Sequence, residues 1–267
     1  MIPVGDSPRS RTTPFVNYLI IALNVAVFAW MFTLGNGTPS NRLDAQREFV
    51  AQTNGECYGY ETAPTEIDRF FCRYSLQPRE FVDNLRGELE VPDPDRGMIL
   101  LTILTSIFLQ AGWLHIIGNM LFLWVFGDNV EDRLGHFGYL LFYVAAGIVA
   151  SLVQISINPE SVTPVIGASG AVAGVLGAYI VYFTHATVRV VIPFFILIFI
   201  PIPIPAWVMI GAWFLQNLLS GYATLSEAAV PDAGVAWFAH IGGFIFGLGM
   251  AWLFIGRRRT GPAPPWE

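Results

Sequence analysis

Val165-Ile-Gly-Ala-Ser-Gly-Ala-Val-Ala-Gly-Val-Leu-Gly-Ala-Tyr-Ile-Val-Tyr-Phe183 holds no charged residue and is built largely from Gly, Ala and branched aliphatics. A helix needs about 20 apolar residues to cross a bilayer core of ~30 Å, so this run reads as a membrane span. Gly170 and Gly174 lie one turn apart and form a small face that lets another helix approach closely. Ser169 is the chemically unusual member, a hydroxyl among small apolar residues.

The rest of the 267-residue chain has the same character. Charged residues make up 13% and hydrophobic residues 54%, with mean hydropathy +0.54. That is about half the usual charge content of a soluble globule, too little polar surface to cover one. The hydrophobicity also excludes intrinsic disorder. The net charge of -6, with 14 basic residues that are all Arg, gives no case for nucleic-acid binding. The expected fold is an all-α integral membrane bundle of six helices. Span one is Phe15 to Leu34. Span two is Trp113 to Phe126, followed by a charged turn from Asp128 to Arg133. Spans three to six are Phe137 to Ile157, Val165 to Phe183, Pro205 to Ser220 and Val235 to Ile255. Met98 to Leu109 is too short to span and reads as interfacial or re-entrant. Pro201, Pro203 and Pro205 obstruct a helix, so Val190 to Ile200 reads as an extended or shallow surface segment.

Six spans put Arg9, Arg11, Arg133, Arg189 and Arg257 to Arg259 on one side. Arg enrichment in short connections marks the cytoplasm. The expected organisation is a cytoplasmic tail at 1–14, a membrane domain at 15–256 and a cytoplasmic tail at 257–267. Residues 35–97 form a long, acidic external loop between the first two spans. Cys57 and Cys72 both lie in that loop, where disulfides form and persist, and a Cys57–Cys72 bond is expected. No Cys/His spacing suggests a metal site, and no cofactor is expected.

The spans as drawn contain no Asp, Glu or Arg, which disfavours an ion-coupled transporter. Spans two, four and six all enter from the outside, and each carries one polar side chain at a similar depth: His115, Ser169 and His240. Asn119 lies one turn below His115 on the same face. A serine hydroxyl needs a base to take its proton, and His240 can be that base. An oxyanion needs aimed hydrogen-bond donors, and His115, Asn119 and the amide of Ser169 are candidates. Gly243, Gly247 and Ala251 repeat at four-residue spacing near the face of His240 and allow close packing there.

Three segments in order, His115-Ile-Ile-Gly-Asn119, Gly167-Ala-Ser-Gly170 and Ala239-His-Ile-Gly-Gly243, resemble the rhomboid family of intramembrane serine proteases. Glu131-Asp-Arg133-Leu-Gly135 is similar to the family's turn after its second span. The resemblance covers about Met98 to Ile255 plus the first span. It implies a six-helix bundle with a cavity open to the outside and a Ser–His dyad that cleaves transmembrane segments of other membrane proteins. Ser169 would be the nucleophile and His240 the base, with His115, Asn119 and the amides of Ala168 and Ser169 around the oxyanion. The implied partners are transmembrane substrates and the lipid bilayer, without metal or nucleic acid. The implied location is a bacterial inner membrane with both termini cytoplasmic. The chain lacks the family's frequent external Trp-Arg pair. It has Ala173 where many members place an aromatic against the histidine, so Trp237, Phe238, Tyr143 or Tyr179 is expected to support His240. The alternative reading is a non-catalytic relative that binds transmembrane segments.

Overall fold

The computed structural model describes residues 2–34, 66–89, 96–191, 201–225 and 235–254. The helices are α1 (Phe15–Leu34), α2 (Glu66–Tyr74), α3 (Pro78–Arg86), α4 (Arg96–Thr105), α5 (Trp113–Phe122), α6 (Asp128–Leu134), α7 (His136–Ile157), α8 (Ser169–Tyr182), α9 (Ala206–Thr224) and α10 (Trp237–Phe254). Among the described residues, α1, α7 and α10 are long and apolar enough to cross a membrane. A fourth span is available if the helices at Ile99–Phe108 and Trp113–Leu134, bent by 78° between them, count as one. That bend makes the run from Met98 to Leu109 a separate, angled segment.

The all-α expectation is corrected by a three-stranded antiparallel sheet in the order β1 (Ile2–Ser7), β2 (Thr187–Val191), β3 (Ile202–Pro205). The prolines that forbid a helix are tolerated because β3 is an edge strand, where a missing N–H breaks no second ladder. Val188 and Val190 of β2 are fully buried. Val190 and Val191 are thus strand residues, and 192–200 lie outside the described residues. The sheet brings the N-terminal segment and the α8–α9 connection to one end of the bundle.

The charged segment from Asp128 to Arg133 is also corrected: it is helical. A five-residue π turn, Leu123–Gly127, joins α5 to α6. Asn17 stabilises this junction, donating to the Leu123 carbonyl at 2.9 Å and accepting from the Tyr139 hydroxyl at 2.8 Å. Glu131 is completely buried because it caps α1. Its carboxylate accepts the Val16 amide at 3.1 Å and the Asn17 amide at 2.7 Å, two donors that no carbonyl within the helix could reach. The negative charge also sits favourably at a helix N-terminus.

β1 docks through Asp6, whose Oδ2 accepts from the Tyr179 hydroxyl at 2.5 Å and Asn129 Nδ2 at 2.8 Å. Burial pushes the Asp6 carboxyl up to about 6, and burial raises Asp128 as well. A folded-state pKa above the unfolded value means the folded protein holds the proton more tightly. The stabilisation is therefore full below about pH 4 and is lost as pH rises through about 6. In thermal unfolding, Asp6→Asn is expected to reduce the fall in Tm between those pH values.

Parts of the expected external loop are folded. α2 buries Ile67, Phe70 and Phe71 with Met31 of α1 and Leu109, while Phe81 of α3 packs with Leu76, Ile99 and Ile155. Cys72 is buried on α2, but Cys57 lies outside the described residues, so the Cys57–Cys72 bond is a proposal. It predicts faster migration on nonreducing than on reducing gels, and thiol labelling that requires reductant.

The core is the α8–α10 contact, flanked by α7. α8 has only 14 residues, and Gly170 to Tyr179 are all buried. A helix apolar all round is one surrounded by protein, and α8 need not meet lipid along its length. A Cβ at Gly247 would overlap the Gly174 carbonyl oxygen, and one at Gly243 would overlap the Gly170 carbonyl oxygen. These obstacles are backbone and cannot rotate away. Gly247→Ala is expected to cost at least about 1–3 kcal/mol as an overpacked core site. Gly249→Ala, with nothing within 4 Å of the added carbon, should be neutral in the same thermal unfolding measurement.

Candidate active site

Ser169 is the first residue of α8, and the turn before it explains how a hydroxyl comes to sit inside the bundle. Val165 pairs with Leu76 in an isolated β-bridge, and the chain then reverses through Gly167 at φ +118. Side-chain-bearing residues rarely adopt that backbone angle. The Gly167 amide is held by the Ser106 carbonyl at 2.9 Å. Ala168, fully buried, is the N-cap residue. The first amides of a helix have no carbonyl of their own helix to bind, and they carry the positive end of the helix dipole. The Ala168 and Ser169 amides therefore belong to a donor-rich corner beside the Ser169 hydroxyl.

His240 is in the first turn of α10, and its Nε2 lies 2.8 Å from Ser169 Oγ. Its Nδ1 lies 2.6 Å from Oδ1 of Asn217, on α9. Asn217 is buried. Two indoles flank the imidazole, Trp213 at 5.9 Å between ring centroids and Trp237 at 6.1 Å edge-on. Of the four residues expected to support the ring, Trp237 is beside it. Tyr179 is not: it bonds Asp6 ten residues along α8, ~15 Å away by helical rise. Tyr143 is tilted against Tyr139, 6.4 Å between ring centroids. No aromatic stands at Ala173, and beside Trp237 the ring is supported by two residues of α9, Trp213 and Asn217. Sequence reading missed both. The available signal was an Asn beside Gln216 in an otherwise apolar stretch, four residues after a Trp and on the same face.

His115 lies in the first turn of α5. The Ala111 amide donates to its Nδ1 at 3.1 Å, so Nδ1 is the acceptor and Nε2 carries the proton. A Cβ placed on Gly167 would be 2.8 Å from His115 Nε2 and 3.6 Å from Ser169 Oγ. The His115 donor edge and the serine oxygen thus border the same small space. Gly167 is required there both for its angle and for this clearance. Asn119 is buried and donates through Nδ2 to Gln110 Oε1 at 2.9 Å, and Gln110 donates to Asn24 Oδ1 at 2.8 Å. Asn24 closes the chain on the Ile20 carbonyl at 2.9 Å. A carboxamide has two N–H donors, and Gln110 takes one of those on Asn119. Gln110, read from sequence only as a break between apolar runs, is the link from Asn119 to α1.

Gln154 of α7 accepts the Ala239 amide at 3.2 Å and holds the start of α10 against α7. A small cavity beside Ser169 is lined by Ser106, Ser151, Gly167, Gly170, Ala171 and Ala239. The arrangement places a hydroxyl within hydrogen-bond reach of an imidazole whose far nitrogen is held, with the His115 donor edge bordering the same space as the hydroxyl. Those are the requirements for nucleophilic attack with general-base assistance and oxyanion stabilisation.

Residues 99–257 match the Rhomboid domain. The chain is similar to Rhomboid protein 1, mitochondrial, of Saccharomyces cerevisiae, with 30% identity over 69% of this chain and 46% of that protein. It is also similar to Rhomboid-like protease 5 of Toxoplasma gondii, 30% identical over 93% of this chain and 28% of that protein. Rhomboid protease GluP of Bacillus subtilis is 43% identical over 28% of this chain and 14% of its own length. The chain thus spans less than half the length of each. Relatives named for mitochondria stand beside a bacterial one, so the matches support an integral membrane protein and do not support the expected bacterial inner membrane.

Proposed function

Since the chain belongs to the rhomboid family, we propose that it is an intramembrane serine endopeptidase that cleaves transmembrane segments of other membrane proteins through Ser169 and His240. The observation that carries this reading is the 2.8 Å separation of Ser169 Oγ and His240 Nε2. In the proposed reaction His240 Nε2 takes the hydroxyl proton as Ser169 Oγ bonds to the scissile carbonyl carbon. Negative charge moves to the carbonyl oxygen, where His115 Nε2–H, the Ala168 and Ser169 amides and the second Asn119 N–H stabilise it. The tetrahedral species collapses, His240 returns the proton to the leaving amine, and an acyl-serine forms. Water, deprotonated by the same imidazole, releases the acid and restores Ser169.

The small cavity beside Ser169, where Ser, Gly and Ala are joined by Ile107, Val165 and Ile166, supports small substrate side chains next to the cut. The six-span bundle with both termini on the Arg-rich side remains part of this proposal. The test is purified protein in detergent or liposomes with a model transmembrane substrate and a fluorophosphonate probe. Cleavage together with labelling confined to Ser169 is the expected result. Substrate retention without cleavage and without labelling would favour the non-catalytic binder.

A further inference from the structure

We propose that Asn217 is a positioning residue that sets the tautomer of His240, making the pair a Ser–His–Asn chain whose third member is carried by α9. The turnover consequence rests on the protease reading above; the tautomer does not. Asn217 Nδ2 donates to the Trp213 carbonyl at 2.7 Å, which assigns the amide nitrogen and leaves Oδ1 facing His240 Nδ1 at 2.6 Å. Oδ1 can only accept, so Nδ1 must carry the imidazole proton. Nε2 is then the free lone pair, and it faces Ser169 Oγ at 2.8 Å. The other tautomer would put the proton on Nε2, where it could not receive one from Ser169, and would set two lone pairs against each other at Nδ1.

The task Asn217 performs is usually given to a carboxylate. Here the bundle interior makes a buried charge costly, and a neutral amide orients the ring without introducing one. The amide is itself fixed, because its nitrogen is held by its own helix at i−4 and it is buried. Trp213, one turn earlier on the same face of α9, lies against the ring. Together they supply from α9 what Ala173 cannot supply from α8. The proton moves along an existing hydrogen bond from Ser169 Oγ to His240 Nε2, and Asn217 gains and loses none.

The test is nitrogen NMR of the full chain in micelles with labelled histidine, read beside turnover per folded molecule. In the unaltered protein His240 is expected as the Nδ1–H tautomer. Asn217→Ala should convert it to a mixture and lower kcat by about 10²-fold, the low end of what general-base assistance contributes, with KM little changed. Asn217→Asp keeps an acceptor at the same place and should restore the Nδ1–H form. An Nε2–H tautomer in the unaltered protein overturns the proposal whatever the activity. So does Asn217→Ala with unchanged tautomer and unchanged turnover. A protein that cleaves nothing yet holds His240 as Nδ1–H, with loss of that form in Asn217→Ala, supports the role of Asn217 and overturns the protease reading alone.

Discussion

Ser169→Ala is expected to lower cleavage of a transmembrane substrate by roughly 10⁴–10⁶-fold, and His240→Ala by a similar factor, because the two act as one unit. The hydroxyl removed is half-buried and bonds to His240, so the serine variant should stay folded. A single neutral hydrogen bond is worth about 1 kcal/mol, too little to unfold a bundle with a glycine-packed core. Because the effects should not add, the double variant is expected to be no worse than either single one. Purified Ser169→Ala with substantial turnover would remove Ser169 as nucleophile. A serine variant that is inactive only because it no longer unfolds cooperatively would show in its melting curve.

His115→Ala is the second large effect, a loss of roughly 10²–10³-fold in kcat with KM little altered, the signature of a donor used only in the transition state. The structural basis is the Ala111 amide on Nδ1, which turns the Nε2–H toward the space shared with Ser169. Asn119→Ala is expected to behave differently. It removes one proposed oxyanion donor, but it also leaves the buried Gln110 Oε1 without its partner, which costs about 1–3 kcal/mol. Lower turnover and a lower Tm should therefore appear together in Asn119→Ala, while His115→Ala, which frees only the half-buried Ala111 amide, should lower Tm less. Unchanged turnover per folded molecule in both variants would remove both residues from the site.

Much of this arrangement was legible in the residues. The apolar runs at Phe15–Leu34, His136–Ile157 and Trp237–Phe254 differ by two residues or fewer from their expected bounds, because hydropathy reports directly on the solvent a segment meets. Gly170, Gly174, Gly243 and Gly247 were readable as a packing face because an absent side chain has one main use on a membrane helix. Ser169, His115 and His240 were readable because few polar groups occur in these runs and each bears chemistry. The family follows from three short segments in order.

What composition and periodicity left open are the pairings that depend on how helices are turned about their own axes. Asn217 and His240 come from different helices, and only the seating of α9 on α10 decides that an amide oxygen faces Nδ1. Gln110 is a break in the sequence and a bridge in the structure for the same reason. Glu131 read as part of a charged turn, yet it is buried in a helix because α1 brings two amides to it. The sheet was invisible because its strands join residues 2–7 to 187–191 and 202–205, and short strands carry too little local pattern to declare distant partners. Residue content alone places the chain in a membrane, marks the close-packed glycine faces and nominates the proposed reactive groups. Which polar atom satisfies which follows from the packing of the helices. In a low-dielectric interior each buried donor must find an acceptor, and only packing determines which acceptor is within reach.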